Sequence, residues 1–370
     1  MRAPVEITLM LAGDVMLGRG IDQILPYPGA PEIFESYMRS ALDYVSLAEL
    51  RAGGPDPPVR DVRLCVGRGA GGNRAAAAGP AHRQPGDRRH RAGSPEPKGI
   101  NYRMTPANLP ALAAAGIDCC TLANNHVLDF GAQGLVDTLD HLRRMGMASA
   151  GAGRDGTEAR APAVLPLPGG GRVVVHAAAT RSSGVPGAWA AGPGRAGIHI
   201  VDETSEEEAD LLAARMARER QPGDVTVLSI HWGGNWGYEV PPEQRAFARR
   251  LVEAGAADMI HGHSSHHFKG AEIYRGKAVL YGCGDLINDY EGIGGHEAFR
   301  SPLVLLYFLR LRTADGQHAG FDVAPFRLHR FRLSRIGAAD ARWIRRRIAE
   351  TYAFPPGPVA LPGIAEPDEA

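Results

Sequence analysis

Four apolar runs in this chain each stop at a short motif of Asp, Asn or His, and that repetition constrains the fold more than any other feature. Val5–Leu11 ends at Gly13-Asp14-Val15-Met16, and Ile117–Leu122 ends at Ala123-Asn124-Asn125-His126, with Asp129 and Gly131 beyond it. Val225–Ile230 runs into His231-Trp232-Gly233-Gly234, and Asp258–Ile260 into His261-Gly262-His263-Ser264-Ser265-His266-His267. Short runs of branched and apolar residues bounded by glycine read as buried strands. Helical periodicity marks Pro31–Leu47, Pro106–Ala115, Gly134–Met145, Glu206–Arg218, Pro242–Ala254 and Ala338–Tyr352. Further strands are expected at Val173–Ala179, Ala271–Tyr274, Ala278–Tyr281, Leu303–Leu311 and Phe321–Leu333. Strands alternating with helices early and hairpins late predict a layered α/β domain with mixed sheets. In such sheets ligands gather beyond the carboxyl ends of the strands, where all four motifs would lie.

Composition narrows the partners. Lys+Arg and Asp+Glu both number 41, so the formal charge is zero and no electrostatic footprint for nucleic acid is present. A hydrophobic content of 44% excludes a wholly disordered chain. The four cysteines form no CxxC pair, so a thiolate metal knuckle and a disulfide framework are both unindicated. No run approaches the ~18 apolar residues of a membrane span. A cytoplasmic protein is expected.

Residues 61–93 break the pattern, with clustered Gly, Ala and Arg and no apolar face of either period. An inserted loop of that length is uncommon in a compact domain. Lysine occurs only at Lys98, Lys269 and Lys277, an arginine bias that suggests GC-rich coding DNA. In such DNA a shifted frame stays open. Moving Leu64–Arg91 one base downstream permits an amphipathic helix followed by the strand pattern I-V-N-L and a Glu. The expectation is therefore an out-of-frame segment, which the DNA around codons 61–94 decides. The tail from Phe354 to Ala370, rich in proline, should be poorly ordered.

The motif residues also suit ordinary roles. Asp14 after a strand caps or turns, Asn124-Asn125 makes a turn, and His231 or the histidine cluster can be core or surface. All four motifs at one sheet edge favour a metal. Imidazole, carboxylate and amide donors without thiolate point to Mn, Fe or Zn, commonly as a pair for phosphoryl chemistry. Such a pair needs a bridging carboxylate. Between Asp14 and Asn125 the chain as written offers no good candidate, whereas the shifted frame supplies a Glu across Gly86 and Asp87.

The segments G-D-V-M-L-G-R-G, K-G-I-N-Y-R-M, C-C-T-L-A-N-N-H-V-L-D-F-G, S-I-H-W-G-G-N-W-G and H-G-H-S-S-H-H-F-K-G resemble the CapA family of capsule and poly-γ-glutamate synthesis proteins, of calcineurin-like metallophosphatase fold. The resemblance runs from about Ile7 to Leu311. It implies a four-layer α/β/β/α sandwich over residues 5–335, followed by a C-terminal helix at 336–353. It also implies Asp14, Asn125, His231, His263 and His266 as ligands of a dinuclear divalent metal. By the same resemblance His126 protonates a leaving group and Asp129 orients it. Two departures stand out: Met16 occupies a position where metallophosphatases carry a ligand histidine, and Gln84-Pro85-Gly86 replaces the family's N-L-E. The implied reaction is metal-assisted hydrolysis or transfer on a small-molecule or polymer substrate, alongside capsule or polymer synthesis machinery. A general metallophosphoesterase and a non-catalytic scaffold remain alternatives.

Overall fold

A computed structural model describes residues 6–54, 93–168 and 170–353. Its larger sheet runs in the order Tyr352–Ala353, Ala271–Tyr274, Lys277–Leu280, Met259–His263, Asp224–His231, Arg172–Thr180, Ala163–Pro166, with Ile200–Val201 also paired to Arg172–Thr180. The central neighbours from Lys277–Leu280 to Arg172–Thr180 are parallel, while Ala271–Tyr274 and Ala163–Pro166 join antiparallel. The smaller sheet is antiparallel throughout: Glu6–Ala12, Leu303–Arg312, His318–His329, Arg332–Arg335.

The period-2 alternation of strands explains the layering. Along Leu303–Arg312, Leu305, Tyr307, Leu309 and Leu311 share one core with Val173, Val175, Val225, Val227 and Met259 of the larger sheet, so the two sheets face each other. Val304, Leu306, Phe326 and Leu328 lie on the outer face, against Ile21 of helix Gly20–Ile24 and Ala48 of helix Ala41–Ala52. On the far side Leu228, Ile230, Ile260 and Val279 meet Leu212 and Met216 of helix Glu206–Glu219, and Phe247 and Leu251 of helix Pro242–Glu253. The result is a four-layer α/β/β/α sandwich with mixed sheets. Each fully buried large side chain in these layers contributes about 1.5–3 kcal/mol of transfer free energy.

Several boundaries differ from sequence expectation, each for a local reason. The helix expected over Pro31–Leu47 occupies Ala41–Ala52 instead. Residues 32–40 instead form a loop closed by a bridge between Glu32 and Ser40, and Ser40 caps the real start by accepting from Leu42 N at 3.2 Å. The segment Pro106–Ala115 is a 3-10 turn at Pro106–Asn108 followed by a short helix at Pro110–Ala114. The strand expected over Phe321–Leu333 is a hairpin whose turn residues, Arg330 and Phe331, both sit at φ 54°. Phe331 is fully buried and its N–H donates to Glu291 Oε2 at 2.7 Å, which offsets the left-handed backbone.

The strand expected to stop at Ile260 continues to His263. His261 and His263 are therefore strand residues rather than loop residues, because Met259–His263 pairs along its whole length with Asp224–His231 and, up to His261, with Lys277–Leu280.

The helix Ala338–Thr351 inserts Ile344 and Ile348 into the core between the sheets, and Tyr352–Ala353 extends the larger sheet. The segment expected to be out of frame, up to residue 92, and the tail 354–370 lie outside the described residues. Among the described residues no helix is long and apolar enough to cross a membrane.

Candidate metal centre

Register brings the first histidines together. In the parallel ladder His231 is the Cα partner of His263, so the two side chains stand side by side on one sheet face. Asp14 arrives from a separate short strand, Asp14–Val15, whose partner is Asp285–Ile287. One ligand atom from each of Asp14, His231 and His263 lies within 4.8 Å of the others. His231 Nδ1 is 2.9 Å from His263 Nδ1, which is 3.1 Å from Asp14 Oδ1.

The electrostatics suit a cation. Burial opposes the Asp14 charge, yet the His263 hydrogen bond and the surrounding imidazoles hold its carboxyl well below the usual range. Burial, helped by His263, pushes His231 down to about 3, so its ring is neutral and keeps one lone-pair nitrogen able to ligate. His231 Nε2 is buried without a hydrogen-bond partner among the described residues. A buried polar atom left unmet costs about 1–3 kcal/mol, and where it is the ring's lone pair a cation would relieve it. Imidazole and carboxylate donors without thiolate fit Mn, Fe or Zn.

The loop after Cys119–Thr121 carries Asn125 and His126. Asn124 Oδ1 accepts from His126 N at 2.8 Å and Val127 N at 2.9 Å, which fixes the turn. The Asn125 carbonyl accepts from Lys98 Nζ, and its side-chain nitrogen lies 3.7 Å from where a Cβ on Gly184 would stand. His126 Nδ1 is 2.8 Å from Asp129 Oδ2. Asp129 also accepts from Tyr102 N at 2.7 Å and from Lys98 Nζ at 2.7 Å. With Asp129 accepting at Nδ1, the other ring nitrogen of His126 is left for the site. Burial outweighs Asp129, and with Lys98 and Arg19 it lowers the His126 pKa.

His266 stands apart from the three-residue group. Its Nδ1 is 3.1 Å from both oxygens of Asp285, which also accepts from Asn288 Nδ2 at 2.7 Å. Burial would lower His266, but Asp285 raises it further than burial lowers it. Asp285 itself is raised by burial despite His266.

Sequence reasoning left Lys98 and Arg19 without roles, although both lie in motifs it singled out. Arg19, at φ 49° and buried, bonds Asp289 Oδ1 at 2.5 Å and Glu35 Oε1 at 2.8 Å. Its guanidinium lies between the rings of Tyr44 and Tyr102, at 4.0 and 4.3 Å. Tyr102 meets His126 edge-on at 4.7 Å, Tyr290 meets His266 at 5.1 Å, and the two hydroxyls are 3.1 Å apart. Tyr290 also donates weakly to Met16 Sδ at 3.8 Å. Trp232 is packed away, with Nε1 donating to Tyr281 O at 2.9 Å, whereas Trp236 stacks on His296 at 3.8 Å and borders His266 at 5.5 Å.

A probable polyglutamine synthesis accessory protein of Mycobacterium tuberculosis is 46% identical over 356 residues, covering 93% of this chain and 91% of that protein. The capsule biosynthesis protein CapA of Bacillus anthracis is 24% identical over 87% of this chain and 68% of its own length. The PGA biosynthesis protein CapA of Bacillus subtilis is 24% identical over 87% and 72%. A phosphatase from Mycoplasma pneumoniae of known structure overlaps 60% of this chain and 76% of its own, at TM-score 0.40 and 13% identity, too distant to bear on activity. The profile of the bacterial capsule synthesis protein PGA_cap matches residues 8–290, and this chain belongs to that family.

Proposed function

We propose that this chain performs a metal-dependent hydrolase or transferase step in the synthesis of a capsule-type or polyglutamate polymer. The polymer role rests on the names its relatives carry. The chemical role rests on one observation: Asp14, His231 and His263 converge, and His231 keeps a buried nitrogen with no hydrogen-bond partner among the described residues.

In this reading Asp14, His231 and His263 hold a divalent cation, with Asn125 and His266 as further ligands when a second cation binds. The cation supplies Lewis acidity at a phosphoryl or acyl oxygen. His126 moves a proton at its outward ring nitrogen, and Asp129 keeps the other nitrogen protonated and the ring oriented. Lys98 holds both Asp129 and the Asn125 carbonyl, so it fixes the loop that presents these groups.

The test is calorimetric titration of the chelator-stripped chain with manganese and zinc, followed by turnover of p-nitrophenyl phosphate esters. His231→Ala should abolish tight binding while the protein still unfolds cooperatively. Wild-type protein that binds neither ion would overturn the metal reading in favour of a scaffold role. Ester turnover lost in His231→Ala would identify a phosphoesterase acting on small substrates.

A further inference from the structure

The chain is neutral as a whole, but its charge is unevenly spread. Residues 327–350 hold eight arginines and only two acids, Asp340 and Glu350. Both acids are already engaged: Asp340 Oδ2 accepts from Arg327 Nη2 at 2.5 Å, and Glu350 Oε2 lies 2.9 Å from Arg347 Nη1. A local surplus of this size suits an anionic partner, whatever the charge of the rest of the chain. Helix Ala338–Thr351 sets the surplus in order. Ala341, Ile344 and Ile348 form its buried face. By helical spacing, Arg342 and Arg346 share the opposite, exposed face, and Trp343 and Arg347 share the flank beside it.

From that flank a run of contacts leads back to the candidate metal centre. The guanidinium carbons of Arg300 and Arg347 lie 5.1 and 5.5 Å from the centre of the Trp343 ring, and Arg347 lies 4.3 Å from that of Tyr238. Tyr238 meets Phe299 at 5.4 Å, Phe299 meets Trp236 at 5.3 Å, and Trp236 borders His266. The end of the helix is seated beside this run. Gly270, four residues after His266, approaches it so closely that a Cβ there would stand 2.8 Å from Thr351 O.

We infer that this arginine stripe is the docking track of an acidic polymer, a flexible chain of repeated carboxylates that it leads towards the metal centre. The inference rests on the polymer half of the reading above and not on the cation. Arginine forks grip carboxylates two hydrogen bonds at a time, and a guanidinium stacked on a ring is already ordered, so little freedom is lost on binding. The same stacking disfavours single-stranded nucleic acid, because guanidinium groups cover the faces of Trp343 and Tyr238 on which bases would stack. An anionic membrane would favour large apolar side chains projecting beside the cations, and none of the exposed large apolar residues lies on this helix.

Fluorescence anisotropy of dye-labelled polyglutamate with the full chain, in a chelator, measures docking without the metal. Wild-type protein should bind, and more weakly as salt rises, because exposed charges are screened. Arg342→Glu combined with Arg346→Glu should weaken binding by about tenfold or more with a cooperative melt retained. Arg160→Glu combined with Arg218→Glu makes an equal charge change at exposed positions of helices Gly156–Arg160 and Glu206–Glu219, and should weaken it far less. Equal losses in the two variants would mean attraction to net charge alone and would overturn the track. Wild-type protein that binds no polyglutamate overturns it too, as does tighter binding of single-stranded RNA or of phosphatidylglycerol vesicles. Should the double reversal fail to fold, Arg342→Gln with Arg346→Gln takes its place, and unchanged binding there is equally decisive. A failed metal reading leaves these measurements untouched. Wild-type binding that survives both variants would sink the track and leave the polymer role standing.

Discussion

Two histidine–carboxylate pairs flank the three-residue cluster, and they behave in opposite ways. His126 meets Asp129 at 2.8 Å, and His266 meets Asp285 at 3.1 Å, each through Nδ1. Burial works against a charge on both rings, yet the pKa of His126 falls while that of His266 rises. The neighbours explain the difference. Asp129 divides its attraction between His126 and Lys98, and Arg19 adds a second cation nearby. Among the described residues His266 is the one cationic side chain bonded to Asp285, and Asp14 adds further negative charge. A carboxylate beside a histidine therefore does not set the sign of its shift; the surrounding charges do.

The largest test removes what the two pairs share. Arg19 supports Tyr102 at His126 and, through the paired hydroxyls, Tyr290 at His266. Arg19→Met leaves Glu35 and Asp289 buried without their cation, and urea unfolding should show a loss of about 3–5 kcal/mol. A loss under about 1 kcal/mol would mean that the brace carries no load.

pH sharpens the contrast next. His231 and His261 are held near 3, and His176, His199 and His267 near 4, in each case chiefly by burial. Unfolding releases these rings to take up protons near pH 6.5, so the stability they contribute is present above that value and lost as pH falls towards their folded pKa values. Each contributes a slope of up to about 1.4 kcal/mol per pH unit in that window. His266 runs the other way: its stabilisation is complete below about pH 6.5 and disappears as pH rises through its raised folded value. Asp285→Asn should therefore steepen the acid loss, measured as melting temperature between pH 7 and pH 4 with a chelator present. An unchanged profile would refute the assignment of opposite signs.

The smallest expected effect converts one pair into the other. Lys98→Met leaves His126 as the one cationic partner of Asp129 among the described residues, and the His126 pKa should rise by about one unit, or roughly 1.4 kcal/mol of proton affinity. Proton NMR titration of the metal-free chain measures this directly. A fall, or no movement, would show that Lys98 does not govern the ring.

Much of the site was legible in the order of residues. Asp14, His231 and His263 each follow or end an apolar run, and side chains delivered to one sheet edge by adjacent strands tend to meet. His126 and Asp129 are three residues apart in one turn, a spacing at which they touch. Asp285 resisted assignment, because His266 lies 19 residues away and Asp14 comes beside it only through a strand pairing. Arg19 resisted for the same reason: Asp289, to which it is bonded, lies 270 residues away.

Residue order alone determined the donor types, the strand and helix periods and hence the layered α/β architecture, because each depends on neighbours a few positions apart. The tertiary structure decided which face His263 presents, where Phe331 forces a hairpin and whether a histidine beside a carboxylate gains or loses a proton. Those outcomes turn on register, enclosure and the charges of segments far apart in the chain, and such terms exist only once the sheets have paired.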